Sequence, residues 1–170
     1  AEYAKPSIYN NAGLGFTPIN SFNGVLDGNS STIYALNILY SSKDDGALII
    51  QNNGNIKDLT IAESRIEGLS KAALIISNKG KIENITLRGS RIGAKNGISA
   101  AFVCTNEERG QILKCVNLSD IFASDLAGGI CVYNYNYIAD CTNNGGVIAN
   151  CTESSAVAGG ICASNHSTIA

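Results

Sequence analysis

Short apolar runs recur along the chain in a fixed cyclic order, and polar links rich in glycine or asparagine separate them. The clearest copies are Ala127-Gly-Gly-Ile-Cys131 and Ala158-Gly-Gly-Ile-Cys162, which precede Ile138 and Ile169 by the same seven residues. Self-similarity at a fixed spacing is the signature of a repeat architecture. The pattern therefore predicts a stack of similar units.

Each unit contains three signals. The first is a strand that begins with isoleucine, the second is a large apolar residue about ten residues later, and the third is a small-small-x-aliphatic run that ends in an aliphatic residue or cysteine. The first signal begins at Ile33, Ile56, Ile82, Ile112, Ile138 and Ile169; the second falls at Ile66, Ile92, Phe122 and Ile148; the third spans 46–50, 72–76, 100–104, 127–131 and 158–162.

Successive first signals are 23, 26, 30, 26 and 31 residues apart. Three short strands per interval predict an all-β fold, a right-handed parallel β-helix (solenoid) of about five coils, whose equivalent strands pair about 4.8 Å apart. The runs are too short for helices, and glycine interrupts every period. Residues 1–31 do not repeat and are predicted to form an N-terminal cap, whereas residues 32–170 are predicted to form the coils.

Stacking of the units predicts interior rows of equivalent side chains. One row is expected to contain Ile50, Ile76, Cys104, Cys131 and Cys162, and another Leu36, Leu59, Ile85, Cys115 and Cys141. Cysteine then replaces aliphatic residues in the core, as a small, soft apolar side chain can. Reduced thiols are the preferred interpretation, because strands held side by side suit the disulfide torsion poorly. Disulfides Cys104–Cys131, Cys131–Cys162 and Cys115–Cys141 are the alternative.

Composition narrows the class of protein. A chain of 170 residues with 45% hydrophobic residues fits one folded domain, and a net charge of −2 gives no electrostatic footprint for nucleic acid. No apolar run approaches the roughly 20 residues of a membrane span. The chain lacks methionine and stops two residues into a unit, so we expect a piece of a longer repetitive protein, or a subunit whose open end another chain completes.

Residues able to support catalysis are few. The chain has one histidine, His166, and no Cys-x-x-Cys pair, so neither a metal site nor another cofactor is expected. Asp44-Asp45 superficially resembles the paired aspartates of polygalacturonases, which share the β-helix fold. The Asn-Thr-Asp, Gly-His-Gly and Arg-x-Lys elements of those enzymes are missing, so a solvated turn is expected at this pair. We predict no enzymatic activity.

An alternating aromatic run, Tyr133-Asn-Tyr135-Asn-Tyr137, is the one unusual surface feature. Tyr135 and His166 each lie three residues before the isoleucine of the next first signal. They are therefore expected to stack on adjacent coils. Flat aromatic faces suit the binding of a sugar or a protein partner. The alternative is that the tyrosines cover the link and pack on one another.

Residues 127–151 and 158–170 resemble GLUG-type repeats, in which a Gly-Gly-aliphatic run, an Asn/Gly-rich link, Ile-x-x-Cys and a Gly-x-Val strand follow each other. Residues 22–33 are similar to the segment that often precedes such repeats, while residues 46–112 depart from the pattern by using Ala-Leu-Ile-Ile. The resemblance implies a secreted or surface-anchored bacterial protein, such as an adhesin or a non-catalytic region of an IgA-cleaving metallopeptidase. The His-Glu-x-x-His element of that peptidase chemistry is missing here.

These features lead to one functional expectation. The chain is expected to be a structural or adhesive module, extracellular or on the cell surface, which holds its parent away from the cell or presents a lateral surface. Its partner would be a second copy stacked head to tail, or a glycan or protein of a host or cell surface. Neither nucleic acid nor membrane insertion is expected. A carbohydrate-active β-helix, lyase- or glycosidase-like, and a glycan-binding module are the alternatives.

Overall fold

The computed structural model describes residues 15–39, 45–151 and 155–170, and all of their regular secondary structure is β-strand. In chain order the strands are β1 (Ile19–Phe22), β2 (Val25–Tyr34), β3 (Asn37–Ile38), β4 (Ile49–Asn52), β5 (Asn55–Ala62), β6 (Arg65–Gly68), β7 (Lys71–Ala72), β8 (Ile75–Asn78), β9 (Lys81–Ala94), β10 (Ile98–Ala100), β11 (Val103–Asn106), β12 (Gln111–Leu113), β13 (Val116–Ala123), β14 (Leu126–Gly128), β15 (Cys131–Asn134), β16 (Tyr137–Ala139), β17 (Thr142–Asn143), β18 (Val147–Ala149), β19 (Val157–Gly159), β20 (Cys162–Asn165) and β21 (Thr168–Ile169).

These strands form three sheets in which each strand pairs in parallel with its equivalent on the next coil. The asparagine sheet has six strands in the order β1-β4-β8-β11-β15-β20, and the narrow sheet has four, β19-β14-β10-β7. The remaining eleven strands form the broad sheet. The chain is thus an all-β solenoid of about five turns, and the predicted fold class is confirmed.

The three sequence signals do not each correspond to one sheet. The first and second signals both lie in the broad sheet, where β5 and β6 pair with successive parts of the long strand β9. The third signal bends across a corner. Residues 71–72 belong to the narrow sheet, and residues 75–78 already belong to the asparagine sheet. Each coil therefore has three sides, one in each sheet, but the boundaries between the sides do not coincide with the boundaries between the three sequence signals.

A left-handed backbone residue bends the broad sheet on each coil. Asp58, Asn84, Lys114 and Asp140 have φ between 52° and 55°. Asparagine and aspartate tolerate this conformation better than other non-glycine residues. The bend separates two inward rows, one through Ile56 and Ile82 and one through Leu59 and Ile85.

The predicted row through Leu36 is wrong in its first member. Leu59 does pair with Ile85, and Val116, next to Cys115, pairs with Thr86 and Thr142. On the first coil, however, Leu26 pairs with Ile56 and Ser31 with Leu59. The register shifts between Asp27 and Ser31, so Ile33 pairs with Ile61 and not with Ile56. Residues 33–36 and 56–59 share the Ile-x-x-Leu spacing without being equivalent positions of the two coils.

The predicted cap boundary lies inside a strand. Ile19 pairs with Ile49 in the asparagine sheet, and β2, which runs from Val25 to Tyr34, pairs with β5 in the broad sheet. Residues 19–31 are therefore part of the first coil and not a separate cap. Residues 1–14 of the predicted cap lie outside the described part of the chain.

The predicted row through Cys104 is wrong by one residue between Cys104 and Cys131. Val103 pairs with Ile75 on one side and Cys131 on the other, and Cys131 pairs with Cys162. The corner between the narrow and asparagine sheets causes this offset. Ala72 and Ile75 are three residues apart, whereas their partners Ser99 and Val103 are four apart. Cys104 keeps its predicted neighbours Ile76 and Ile50, and the three pack with Ala47 and Ala73 in a separate small cluster.

A similar offset moves two residues of the second signal to the outer face. The inward row runs Ile38, Ile66, Ile92, Ile121 and Val147. Phe122 pairs with Gly93, and Ile148 is exposed. The cause is a register shift between Leu118 and Asp120, which the regular spacing of the earlier coils does not reveal.

Candidate functional site

A row of asparagines follows the corner between the asparagine sheet and the broad sheet. It consists of Asn52, Asn78, Asn106, Asn134 and Asn165, which pair in register on successive coils. The side-chain amide nitrogen of each of the first four donates to the Oδ1 of the next asparagine at 2.8–2.9 Å. The first four are completely buried. Such a connected network rigidifies the corner.

The residue after each ladder asparagine turns outward, and these residues form what we call the corner row: Asn53, Lys79, Glu107, Tyr135 and His166. Their backbone nitrogens bind the preceding coil. Tyr135 N donates to Asn106 O at 2.8 Å, and His166 N donates to Asn134 O at 2.8 Å. Side chains of the corner row are therefore held one strand spacing apart, about 4.8 Å.

Tyr135 and His166 stack as expected from the sequence. Their ring centroids lie 4.9 Å apart and the ring planes differ by 7°. The tyrosine is 43% exposed, so the stack faces solvent. Ser164 Oγ lies 2.9 Å from His166 Nε2 and helps to fix the orientation of the imidazole. The result is a flat aromatic surface two rings long.

Tyr133 and Tyr137 flank this stack on two different sheets. Tyr133 lies in β15, in register with Thr105 and Ser164. Tyr137 begins β16 in the broad sheet and lies in register with Gln111 and Thr168. Within the described part of the chain, the stacked aromatic pair is Tyr135 with His166. The run Tyr133–Tyr137 thus spreads around a corner, with Tyr135 at its apex.

A charged loop beside the stack escaped sequence reasoning. On most coils the ladder asparagine donates to a carbonyl two residues on, but Asn106 donates to Gly110 O, four residues on. The longer turn projects Glu107, Glu108 and Arg109, which with Lys79 line a groove of about 390 Å³. The sequence did contain a signal for this longer turn: Gln111, which begins the next strand, lies five residues after Asn106, whereas the equivalent residues on neighbouring coils, Lys81 and Tyr137, lie three residues after their ladder asparagines. The corner thus presents this loop, Tyr135 and His166 on three successive coils.

Carboxylates on the broad sheet are paired with lysines. Asp27 lies 2.7 Å from Lys57, and Glu83 lies 2.6 Å from Lys81. Hydrogen bonding to these lysines lowers the pKa of Asp27 and of Glu83. A general acid of a glycosidase needs the opposite shift. Asp44 of the predicted aspartate pair lies outside the described residues, and Asp45 adjoins Gly46, which bridges to Ala72.

Two general searches over residues 15–39, 45–151 and 155–170 gave negative results. No group of three or more His, Cys, Asp or Glu side chains in these ranges is arranged to hold a metal ion. None of the secondary structure there is a helix long and apolar enough to cross a membrane.

Comparison with known proteins identifies one partial relative. No family model matches the chain, and no solved structure matches it. Halomucin of Haloquadratum walsbyi is 42% identical over 60 residues, which is 34% of this chain and 1% of halomucin. The chain therefore spans only a very small part of the relative that it matches.

Proposed function

We propose that the chain is a structural and adhesive β-solenoid module of an extracellular or cell-surface protein, without a catalytic site of its own. Its role is to present the corner row laterally to a glycan or a protein of a host or cell surface. The observation that carries this proposal is the exposed Tyr135–His166 stack, which a buried network of asparagine amides holds in place.

The position of the stack supports binding. The coil before Tyr135 carries the charged loop, which with Lys79 lines a groove that has positive charges from Lys79 and Arg109 and negative charges from Glu107 and Glu108. Aromatic faces contact the apolar side of a sugar ring, while charged and amide groups bind its hydroxyls. A protein partner could use the same combination of an aromatic anchor and a polar rim.

The partial relative supports the extracellular location. Its name, halomucin, denotes a mucin, and the match covers a third of this chain. The GLUG-type resemblance of residues 127–170 supports the same placement, in a secreted or surface-anchored protein.

A glycan array tests the binding role. The full chain is expected to bind a subset of immobilised glycans, and Tyr135→Ala is expected to lower the signal about tenfold, the effect of losing one stacking contact worth about 1.4 kcal/mol. Tyr34→Ala is the matched control, because Tyr34 is also exposed but lies on the broad sheet, away from the corner. Equal binding by the wild type and Tyr135→Ala would remove the stack from the proposal.

Head-to-tail association with a second copy is the other candidate role. Apolar side chains of the last coil are exposed, including Val157 and Ile169 at 41% and 43%. The outer strands of such a coil also present backbone groups at a sheet edge, and a strand of a second copy can pair with them. Sedimentation velocity over a wide concentration range tests it, since stacking would make the mass increase with concentration. A constant monomer mass would leave only the lateral role.

The carbohydrate-active alternative has a direct assay. Acidic and neutral polysaccharides incubated with the chain are expected to release neither unsaturated nor reducing ends. Release that Asp45→Asn abolishes would contradict the proposal that the module is not an enzyme.

A further inference from the structure

Four of the six cysteines form two in-register pairs on neighbouring coils. Cys131 and Cys162 are direct partners in the asparagine sheet. Cys115 and Cys141 precede the paired residues Val116 and Thr142, and Cys115 N donates to Cys141 Sγ at 3.4 Å. Neighbouring strands lie about 4.8 Å apart, within the range of roughly 4.4–6.8 Å between Cα atoms that a disulfide requires.

Each pair combines one buried thiol with one that solvent reaches. Cys115 and Cys131 are fully buried, whereas Cys141 and Cys162 are partly exposed. Burial raises the pKa of Cys115 and of Cys131. The hydrogen bond from the buried partner lowers the pKa of Cys141 and of Cys162. The outer thiol is therefore the one that ionises and reacts first.

We propose that Cys131–Cys162 and Cys115–Cys141 are oxidation sites, at which a small-molecule disulfide such as oxidised glutathione converts each thiol pair into a disulfide that joins two coils. The expectation of reduced thiols rested on the side-by-side arrangement of the strands. In each pair, however, the two thiols hydrogen-bond to one another, so their sulfur atoms lie close together. The backbone bend beside Cys115 and Cys141, at Lys114 and Asp140, gives that pair additional freedom from ideal strand geometry.

The reaction has two exchange steps. The Cys162 thiolate attacks one sulfur of oxidised glutathione and forms a mixed disulfide, releasing one glutathione thiolate, which takes up the proton that Cys162 lost. Cys131 then gives up its proton and attacks the Cys162 sulfur, forming the Cys131–Cys162 bond and releasing the second glutathione, which takes that proton. Two protein thiols are oxidised by two electrons, and one glutathione disulfide is reduced to two thiols. Cys141 and Cys115 react in the same order.

One disulfide would act directly on the candidate site. Tyr135 follows Cys131 by four residues, and His166 follows Cys162 by four residues. A bond between these two cysteines therefore joins the two coils that carry the aromatic stack, and it fixes their separation. This consequence rests on the proposed binding role, whereas formation of the disulfides does not.

Cys104 provides an internal control. It lies one residue out of register with Cys131, because Val103 is the partner of Cys131. It is completely buried, and burial raises its pKa to about 12. We therefore expect Cys104 to remain a thiol while both pairs oxidise.

The test uses the full chain, reduced and then incubated with oxidised glutathione at mildly alkaline pH. Intact mass is expected to fall by two hydrogens for each of two disulfides, and digestion is expected to yield peptides that join Cys131 to Cys162 and Cys115 to Cys141. Four unchanged thiols at Cys115, Cys131, Cys141 and Cys162, glutathione adducts that persist on any of these four, or disulfides between other cysteines would each overturn the proposal.

Variants separate the two steps. Cys131→Ala removes the inner thiol, so Cys162 is expected to retain one glutathione, while Cys104→Ala is expected to form both disulfides like the wild type. If Cys131→Ala does not fold, Cys162→Ser removes the exposed thiol instead, and only the Cys115–Cys141 disulfide should form. Two disulfides in Cys162→Ser would show that other cysteines react and would contradict the proposed pairing. Glycan-array binding by the oxidised and reduced wild type then reports separately on the proposed binding role.

Discussion

The ladder asparagines of the middle coils use their amides in both directions along the solenoid. Asn106 donates to Asn134 Oδ1 and to Gly110 O, and its own Oδ1 accepts from Asn78. One side chain thus connects polar groups on three coils. The cost of leaving a buried group without a partner exceeds the net gain from forming its hydrogen bond. The ladder therefore determines which residues can occupy the corner.

We predict that Asn106→Ala destabilises the protein by about 3 kcal/mol, because the buried hydrogen bonds of this side chain to Asn78, Gly110 and Asn134 are lost. The midpoint of urea unfolding measures the change. Asn165→Ala is the matched control, since this asparagine is exposed at the last described coil. Its effect is expected to stay within about 0.5 kcal/mol. Equal losses in the two variants would show that the ladder contributes nothing specific.

The buried thiol of Cys104 predicts a loss of stability at alkaline pH. Its pKa is about 12 in the folded protein, above the ordinary value of 9.0. As pH rises above 9 the unfolded chain loses this proton first, so stability contributed by the protonated thiol is lost between pH 9 and 12. The loss reaches about 4 kcal/mol at the upper end.

Cys104→Val removes this titrating group without emptying the site. Unfolding free energies of the reduced wild type and of the variant, measured from pH 8 to pH 11, are expected to diverge as pH rises, with the variant losing less. Other groups titrate in both proteins, so the difference isolates Cys104. Parallel curves would contradict the assignment.

Sequence reasoning succeeded for residues whose neighbours keep a constant spacing. Tyr135 and His166 each lie one residue after a ladder asparagine, so counting along the chain was enough to predict the stack. It failed for Cys104, Phe122 and Leu36, where a corner or a bend changes the number of residues and shifts the register of the strand that follows. A strand alternates with a period of two, so a slip of one residue turned Phe122 and Ile148 outward, whereas Cys104 stayed buried in a separate cluster.

At the scale of the element, the short turns after the asparagine sheet depend on glycine for space. Gly24, Gly54 and Gly80 follow one another on successive coils. A Cβ built on Gly80 would lie 2.0 Å from Gly54 O, and one on Gly54 would lie 2.2 Å from Gly24 O. The backbones approach each other too closely for any side chain. These contacts limit which residues can replace glycine in the turns of the first coils.

We predict that Gly80→Ala destabilises the protein by about 1–3 kcal/mol, the usual cost of forcing an additional carbon into a packed region. Gly160→Ala is the control, because no atom lies within 4 Å of the position of its added Cβ. Thermal unfolding of the two variants measures the difference. A neutral Gly80→Ala variant would show that the turn can move away.

The elements themselves were partly predictable. Isoleucine-led strands and the bends after them recur at similar intervals, so the parallel pairing of equivalent strands followed from the sequence. The division of each coil into sheets did not follow, since the run at 72–76 is continuous in hydrophobicity although its backbone turns at a corner. Hydrophobicity reports burial and does not report where a buried segment bends.

At the scale of the whole molecule, stability is expected to vary from coil to coil. A solenoid coil contacts only its neighbours, so the packing of each one determines its local stability. Phe102 and Ile112 in the middle coils are fully buried, whereas Val157 and Ile169 in the last coil are exposed by 41% and 43%. The aromatic stack thus joins a well-packed coil to a less well-packed one.

Hydrogen exchange should reveal this gradient. Amides of β11 and β12 are expected to exchange only by global unfolding, and those of β20 and β21 at least tenfold faster, by fraying of the last coil. Mass spectrometry of peptides from these strands measures the difference. Uniform protection along the chain would show that the solenoid unfolds as a single unit.

The spacing of the asparagine ladder also determines how the protein fills space. Successive ladder residues are 26, 28, 28 and 31 residues apart, yet each interval advances the solenoid by only one strand spacing, about 4.8 Å. This is roughly 0.2 Å of length per residue, against about 3.3 Å for an extended strand. Such a chain therefore uses many residues to span a short distance, and most of its residues contribute to the lateral surface of the solenoid. Additional coils would therefore lengthen the solenoid slowly, by about 4.8 Å for every 26–31 residues of chain.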